Sequence, residues 1–319
     1  MKILVTGCAG FIGSHLTEYL LQQNFEVVGI DNVNDYYDIK QKMINLKILS
    51  NYKNFYFCKD DIVTTNIIDK IKPDKICHLA AMAGVRNSIE YPKDYVKTNI
   101  EGFINLLEQA VKNKVSNFVY ASSSSVYGLN KKVPFSEEDD VVLCNSPYAA
   151  SKRSMEVFAN TYNQLYGLPL IGLRFFTVYG PWGRPDMAPY KFLNSIIKGK
   201  SIDKYGDGNS MRDYTYISDI VEGIVSALLT NKSKGSEILN LGNSYPISLN
   251  QFIETCEKIT GKKAVINQIE NQLGDVPVTY ANIDKAKKEF NYQPKVKLEE
   301  GLTNTYNWMK NNIDAEINC

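Results

Sequence analysis

Through the first half of the chain, short apolar runs alternate with longer stretches whose apolar residues recur every three or four positions. The runs at 2–6, 26–30, 55–59, 75–80 and 117–121 have the length and composition of strands, whereas the recurrence over 10–22 and 98–113 is helical. A long helical pattern over 146–166 leads into another strand-like run at 168–173. Strands bounded by turns and alternating with helices predict an α/β fold built on a doubly wound parallel sheet. After residue 175 the rhythm changes. Gly, Pro and Asp cluster at 179–187 and 206–209, which predicts loops, and a strand-like run at 237–241 lies between helical patterns at 218–229 and 249–260. The expected organisation is a sheet domain over 1–175 with a return to it at about 218–242, and a smaller, interleaved C-terminal substrate-binding lobe over 176–319.

Composition narrows the chemistry. The 319 residues are 44% hydrophobic and 22% charged, ordinary globular values that exclude a disordered or fibrous chain. Lys+Arg 36 against Asp+Glu 35 leaves a formal charge of +1, so neither nucleic acid nor an anionic membrane is an expected partner. Cys8, Cys58, Cys77, Cys144, Cys256 and Cys319 form no CxxC pair, which suits a reduced intracellular protein. No stretch has the length of a membrane span, and the first residues lack the apolar segment of a secretory signal; a cytoplasmic protein is expected. The only histidines are His15 and His78. That excludes a multi-histidine metal site, no metal is expected, and both residues are expected to pack rather than to react.

Gly7, Gly10 and Gly13 form a GxxGxxG run between the first strand and the first helix. Glycines there permit a tight turn and close backbone approach, and the helix start offers free N–H groups to a pyrophosphate. Asp31 ends the second strand, eighteen positions after Gly13. A carboxylate in that place accepts from an adenosine ribose and repels a 2′-phosphate. The context is that of a Rossmann-type dinucleotide site and predicts NAD as cofactor. A glycine turn without a ligand is the alternative.

Tyr148 and Lys152 are four apart in a predicted helix and so share one face. A tyrosine titrates near ~10, and use as a base near neutrality asks for about three units, or about 4 kcal/mol. One positive charge about 4 Å away, at an effective dielectric of ~20, supplies that much. Lys152 is a sufficient neighbour in principle, and an oxidised nicotinamide would add a second charge. Ser122, Ser123, Ser124 and Ser125 follow the strand at 117–121, and ligands of open parallel sheets bind beyond the carboxyl ends of the strands. A serine there can hold a hydroxyl undergoing oxidation. On the residues alone, a surface helix and capping serines remain open as readings.

These elements in this order resemble the extended short-chain dehydrogenase/reductase superfamily, specifically its nucleotide-sugar epimerases and dehydratases. The likeness runs along essentially the whole chain. It takes in Asp61-Ile62, His78-Leu79-Ala80-Ala81, Asn99, the serine run, the Tyr148/Lys152 pair, Arg212-Asp213-Tyr214 and Gly274-Asp275-Val276-Pro277. The resemblance implies Tyr148, Lys152 and Ser123 as catalytic residues. It implies Gly7, Gly10, Phe11, Ile12, Gly13, Asp31, Asn32, Asp61, Ile62, Leu79, Ala80, Ala81, Asn99, Tyr148 and Lys152 as surroundings of NAD, Arg212 and Asp275 as holders of the nucleotide diphosphate, and Arg86, Ser124 and Ser125 as further substrate contacts. The 4,6-dehydratases carry an Asp-Glu pair where this chain has Ser124 and Ser125, and the UDP-glucuronate decarboxylases a Glu at the second position. Loss of those acids favours epimerisation over elimination or decarboxylation. The stretch from Arg174 to Met187, with Thr177 and Arg184, is similar to that of UDP-glucuronate 4-epimerases, as are Gly84-Val85-Arg86 and the run from Asp31 to Asp38. An arginine can grip a uronate in a fork and a threonine can add one hydrogen bond. Met82, the 205–208 run and Gln272 depart from that subgroup's pattern. The resemblance therefore implies 4-epimerisation of UDP-glucuronate by a homodimer formed through the helices bearing Asn99 and Tyr148. A UDP-glucose or UDP-N-acetylglucosamine 4-epimerase, a simple hydroxyl oxidoreductase and a non-catalytic NAD sensor are the rival readings.

Overall fold

The strand-like runs pair edge to edge because most of them carry apolar side chains on both faces. The computed structural model describes residues 1–230, 235–270 and 276–317, with side chains to residue 312 in the last segment. In chain order the strands are β1 (Lys2–Thr6), β2 (Glu26–Asp31), β3 (Phe55–Lys59), β4 (Lys75–His78), β5 (Asn117–Ser123) and β6 (Leu170–Phe175). There follow β7 (Thr177–Tyr179), β8 (Ser201–Tyr205), β9 (Met211–Tyr216), β10 (Ser236–Leu241), β11 (Pro246–Ser248), β12 (Val265–Ile269) and β13 (Val278–Thr279). Seven of them make one all-parallel sheet in the order β10-β6-β5-β4-β1-β2-β3. Every residue of β5 and β6 is buried, as expected of strands covered by helices on both sides.

The helices Phe11–Gln22 and Ile217–Leu229 cover one face, burying Leu16, Leu20, Ile220 and Ile224. The helices Gly102–Lys112 and Pro147–Tyr166 cover the other with Phe103, Leu106, Met155 and Ala159. A separate core of Phe192, Tyr214, Phe252 and Leu302 holds the lobe built on β9, which pairs with β7, β11 and β13. From β1 the chain winds outward to β2 and β3, then crosses back to start β4 on the other side of β1. Connections diverge at the β1–β4 boundary, and a crevice opens there at the carboxyl ends of the strands.

Three local differences from expectation matter. The helix Ile39–Leu49 was not legible because Lys42 and Asn45 share its buried side with Leu46 and Leu49. The helix expected over 98–113 begins instead with a wide π-type turn, Val96–Glu101, before Gly102–Lys112; such turns recur at functional sites. β5 runs on through Ser122 and Ser123, so only Ser124–Tyr127 form the turn after it. Among the described residues, no helix is long and apolar enough to cross a membrane.

Candidate active site

At the end of β1 the chain turns sharply. Gly7 N donates to Ile30 O (2.8 Å) and Gly10 N to Gly7 O (3.1 Å), which sets the start of the Phe11–Gln22 helix over the crevice. A Cβ on Gly13 would lie 2.0 Å from Gly7 O, and one on Gly7, whose φ is +73°, 2.7 Å from Ala80 N. Neither position admits a side chain. The N–H groups of Phe11, Ile12 and Gly13 open the helix without intrahelical acceptors, an arrangement that takes an anion; the ring of Phe11 itself is buried in the core.

The cleft above the turn is lined by Gly7, Gly10, Asp31, Asn32, Ile62, Leu79, Ala80 and Ala81, together with Tyr36 and Asp60. Asp31 accepts from Ala9 N at Oδ2 (3.2 Å) and from Val33 N at Oδ1 (2.8 Å), and both oxygens keep lone pairs for a hydroxyl. Asn32 Nδ2 donates to Asp61 Oδ2 (3.1 Å), which fixes the opposite wall. Sequence reasoning gave no role to Tyr37 or Lys42, which line the same cleft. The Tyr37 hydroxyl is buried without a partner, and burial pushes its phenol up to about 12, so it is a neutral donor lacking an acceptor. That orphaned donor, a turn that leaves no room for a Cβ at Gly7 or Gly13 and a carboxylate with spare lone pairs fit a dinucleotide.

Asn99 is not part of the lining. It is fully buried, and its amide is used on Met82 N (2.8 Å), Met82 O (2.9 Å) and Ser151 Oγ (2.9 Å). It braces the segment after Ala81 against the Pro147–Tyr166 helix. Gly13→Ala should lower bound dinucleotide about tenfold or more, because the methyl group has to displace backbone. Nucleotide extracted from the purified variant at the wild-type level would refute this.

Ser146 caps the Pro147–Tyr166 helix, its Oγ accepting from Ala149 N (3.1 Å), and so sets which face carries Tyr148 and Lys152. The Tyr148 hydroxyl hydrogen-bonds with Ser123, and Tyr95 packs edge-on against its ring at 6.1 Å. Ser123 Oγ in turn accepts from Ser125 N (3.1 Å) and pairs with Ser125 Oγ (3.1 Å). Lys152, 2% exposed, donates from Nζ to Ala121 O (2.7 Å), and burial pushes its ammonium down to about 7. Burial also raises the Tyr148 phenol; the Ser123 hydrogen bond and the charge of Arg184 oppose that rise without cancelling it. The charge of Arg184 thus acts on the phenol from the loop side, and Lys152 Nζ ties the helix to β5 through Ala121 O. His78 lies in the core, with Nδ1 paired to Thr6 Oγ1 (2.8 Å), a ring stacked on Phe103 and a pKa lowered by burial to about 3. His15 is half-buried, with Nδ1 on Phe11 O (2.9 Å).

On the sugar side, Thr177 opens β7 in register with Tyr214. Arg184 comes from the loop after β7 and reaches the Tyr148 neighbourhood, where each group acts on the other's titration. Asp186 grips Arg184 through Nε (3.0 Å) and Nη2 (2.6 Å). Arg86 lies over the Tyr205 ring of β8, 5.4 Å from its centroid. Arg212 Nη1 donates to Met211 O and Val276 O (both 2.9 Å); Asp275 lies outside the described residues.

This combination of glycine turn, Asp31 carboxylate and Ser-Tyr-Lys group is matched at family level. Residues 4–305 match the GDP-mannose 4,6-dehydratase family. The chain belongs to that family of extended short-chain dehydrogenases. It is 45% identical over 316 residues to a UDP-glucuronate 4-epimerase of Thermodesulfobacterium geofontis, covering 98% of this chain and 97% of that one. It is 44% identical over 328 residues to UDP-glucuronate 4-epimerase 2 of Arabidopsis thaliana, covering 97% of this chain and 75% of that one. Among solved structures, it is similar to the UDP-glucuronic acid 4-epimerase of Bacillus cereus in complex with UDP-glucuronic acid and NAD. That likeness has a TM-score of 0.92 at 38% identity and covers 98% of this chain and 100% of that one.

In this member of the family, sequence reasoning missed a buried polar network beneath the Ser-Tyr-Lys group. Arg174 forks Glu156 through Nε–Oε1 and Nη2–Oε2 (both 2.9 Å) and donates from Nη1 to Tyr127 Oη (3.0 Å). Ser122 Oγ donates to Glu156 Oε1 (2.6 Å), and Tyr127 Oη to Asn240 Oδ1 (2.7 Å). Two signals were available. Glu156 stands one helical turn after Lys152 on the same face, and Arg174 is a charge inside a buried strand.

Proposed function

We propose that the protein is an NAD-dependent 4-epimerase that interconverts UDP-glucuronate and UDP-galacturonate. The observation that carries the choice of a uronate is Arg184: a guanidinium brought to Tyr148 by a loop in a stretch similar to that of UDP-glucuronate 4-epimerases. The named relatives support the same reading. Ser124 and Ser125, where dehydratases carry acids, leave no group to expel water.

Backbone N–H groups at Phe11, Ile12 and Gly13 would hold the pyrophosphate, with Asp31, Asn32, Asp61, Ile62, Leu79, Ala80 and Ala81 as walls. NAD, when bound, supplies a hydride acceptor and then a hydride donor for the sugar C4. Tyr148 takes the proton of the C4 hydroxyl as base while Ser123 Oγ holds the same oxygen. Lys152 keeps Tyr148 in register with Ser123 and lends its charge when protonated. The 4-keto sugar then presents its other face, and Tyr148 returns the proton. A 4-keto uronate is a β-keto acid and tends to lose carbon dioxide, so Arg184 and Thr177 restrain the carboxylate. Arg212, with Asp275, and Arg86 serve the nucleotide diphosphate and the lobe closing on it.

The assay is incubation with UDP-glucuronate and product analysis by NMR. UDP-galacturonate is expected; UDP-xylose, or turnover of UDP-glucose alone, overturns the reading. Arg184→Ala should raise KM for UDP-glucuronate by about tenfold or more, the loss of a charged fork. It should also shift the pH profile. Arg184 opposes the burial-driven rise of Tyr148, and the phenolate is the working form, so the acidic limb of kcat/KM should move to higher pH in the variant. An unmoved limb would remove Arg184 from the reacting centre.

A homodimer in a reducing, cytoplasmic setting suits this function. Val96, Val157, Leu165 and Tyr166 are exposed on the segments bearing Asn99 and Tyr148, which supports association there; light scattering of the purified protein measures its mass.

A further inference from the structure

Arg184 is held from two directions. Asp186, on its own loop, takes Nε and one side of Nη2. From the other direction comes Tyr36, 148 positions away in sequence, on the turn between β2 and the Ile39–Leu49 helix. The guanidinium lies over the Tyr36 ring, 5.4 Å from its centroid, with Nη2 3.4 Å from the phenol oxygen. That phenol donates its own hydrogen to Ala83 O, so its oxygen is free to accept from the arginine. Nη1 makes no hydrogen bond or ion pair among the described residues. Gly84 makes room for the junction: it holds φ +99°, and a Cβ there would stand 3.0 Å from Tyr36 Oη and 3.3 Å from Arg184 Nη2. The same turn segment reaches the Arg184 loop a second time, since Gln41 Nε2 donates to Trp182 O.

We infer that Tyr36 is a specificity-determining positioning residue, which holds the Arg184 guanidinium with its Nη1 side presented to the substrate carboxylate. This deepens the UDP-glucuronate reading and rests on it. Without Tyr36 the arginine is anchored only to Asp186 on its own loop, and its direction relative to Tyr148 is no longer set by the cofactor-side wall. The neighbouring Tyr37, whose unpartnered hydroxyl lies in the dinucleotide cleft, places both ligands' contacts on one short segment.

The test uses the NAD-loaded enzyme and two readouts: KM for UDP-glucuronate, and the inhibition constant of UDP-glucose, which lacks the carboxylate, against the same turnover. Tyr36→Phe keeps the ring under the guanidinium and removes the oxygen. It should raise KM about tenfold, the worth of one hydrogen bond to a charged group, with kcat within about twofold and the UDP-glucose constant unchanged. Gln41→Ala, which cuts the second tie, should move the ratio of the two constants in the same direction. Equal changes in both constants, or an unmoved ratio in both variants, overturns the inference. Arg184→Ala separates it from the parent reading. If that variant leaves the ratio unmoved, the uronate reading itself fails; if it moves the ratio while Tyr36→Phe does not, only the role of Tyr36 falls.

Discussion

Replacing Tyr148 with phenylalanine is expected to lower kcat about 10³-fold, within the range for loss of a positioned general base and acid, while bound NAD and Tm stay at wild-type values. The reason lies in what the phenol does and does not support. Its ring packs against Tyr95, a contact phenylalanine reproduces. Its oxygen bonds to Ser123, which keeps its bonds to Ser125 N and Oγ when the phenol is gone. Little of the fold depends on the oxygen, and the whole of the proposed proton transfer does. Burial holds the phenol above its ordinary value in the unliganded protein, so activity has to rise with pH until the phenolate dominates. A Phe variant retaining more than about a tenth of wild-type kcat would move the base to another residue. Loss of bound NAD would instead recast Tyr148 as a cofactor anchor.

What the sequence revealed and what it hid divide by the distance between partners. The glycine turn, Asp31 and the Tyr148/Lys152 pair are local patterns, because the strand, turn or helix that makes them meaningful is contiguous in the chain. Groups whose partners are remote stayed hidden. Tyr36 finds Arg184 across 148 positions, and Gln41 finds Trp182 across 141. In the sequence Asp213 stands out only as a neighbour of Arg212. In the structure it is 1% exposed and accepts from Asn243 N, Ser244 N, Ala281 N and Thr215 Oγ1, joining three segments of the lobe. Asn99 likewise meets Met82 and Ser151 across 17 and 52 positions. Periodicity also fails wherever polar residues face inward, as Lys42 and Asn45 do, since hydrophobic spacing reports burial only when burial is apolar.

Replacing Arg174 with methionine is expected to be the most destabilising single change, and pairing it with Glu156→Leu separates architecture from positioning. In the wild type, burial pushes the Glu156 carboxyl up, but its bonds from Arg174, Ser122 and Arg153 outweigh that and hold it below its ordinary range. Arg174→Met leaves a buried carboxylate with only the half-exposed Arg153 as counter-charge, at a cost of about 3–5 kcal/mol. At roughly 2–4 °C per kcal/mol for a chain of this class, Tm should fall by about 6–20 °C. Adding Glu156→Leu removes the stranded charge, and apolar replacements of buried ion pairs are often neutral or stabilising, so the double variant should recover most of that loss. Activity should not follow. The double variant still lacks the acceptor for Ser122, next to Ser123, and the donor that fixes Tyr127 at the end of the Ser124–Tyr127 turn. Both lie near Ser123, the serine proposed to hold the reacting oxygen, and small misplacements of such groups can cost up to about a hundredfold in rate. Tm near wild type with kcat at least tenfold down and KM little changed is the signature of positioning. If kcat returns together with Tm, the network serves the fold alone.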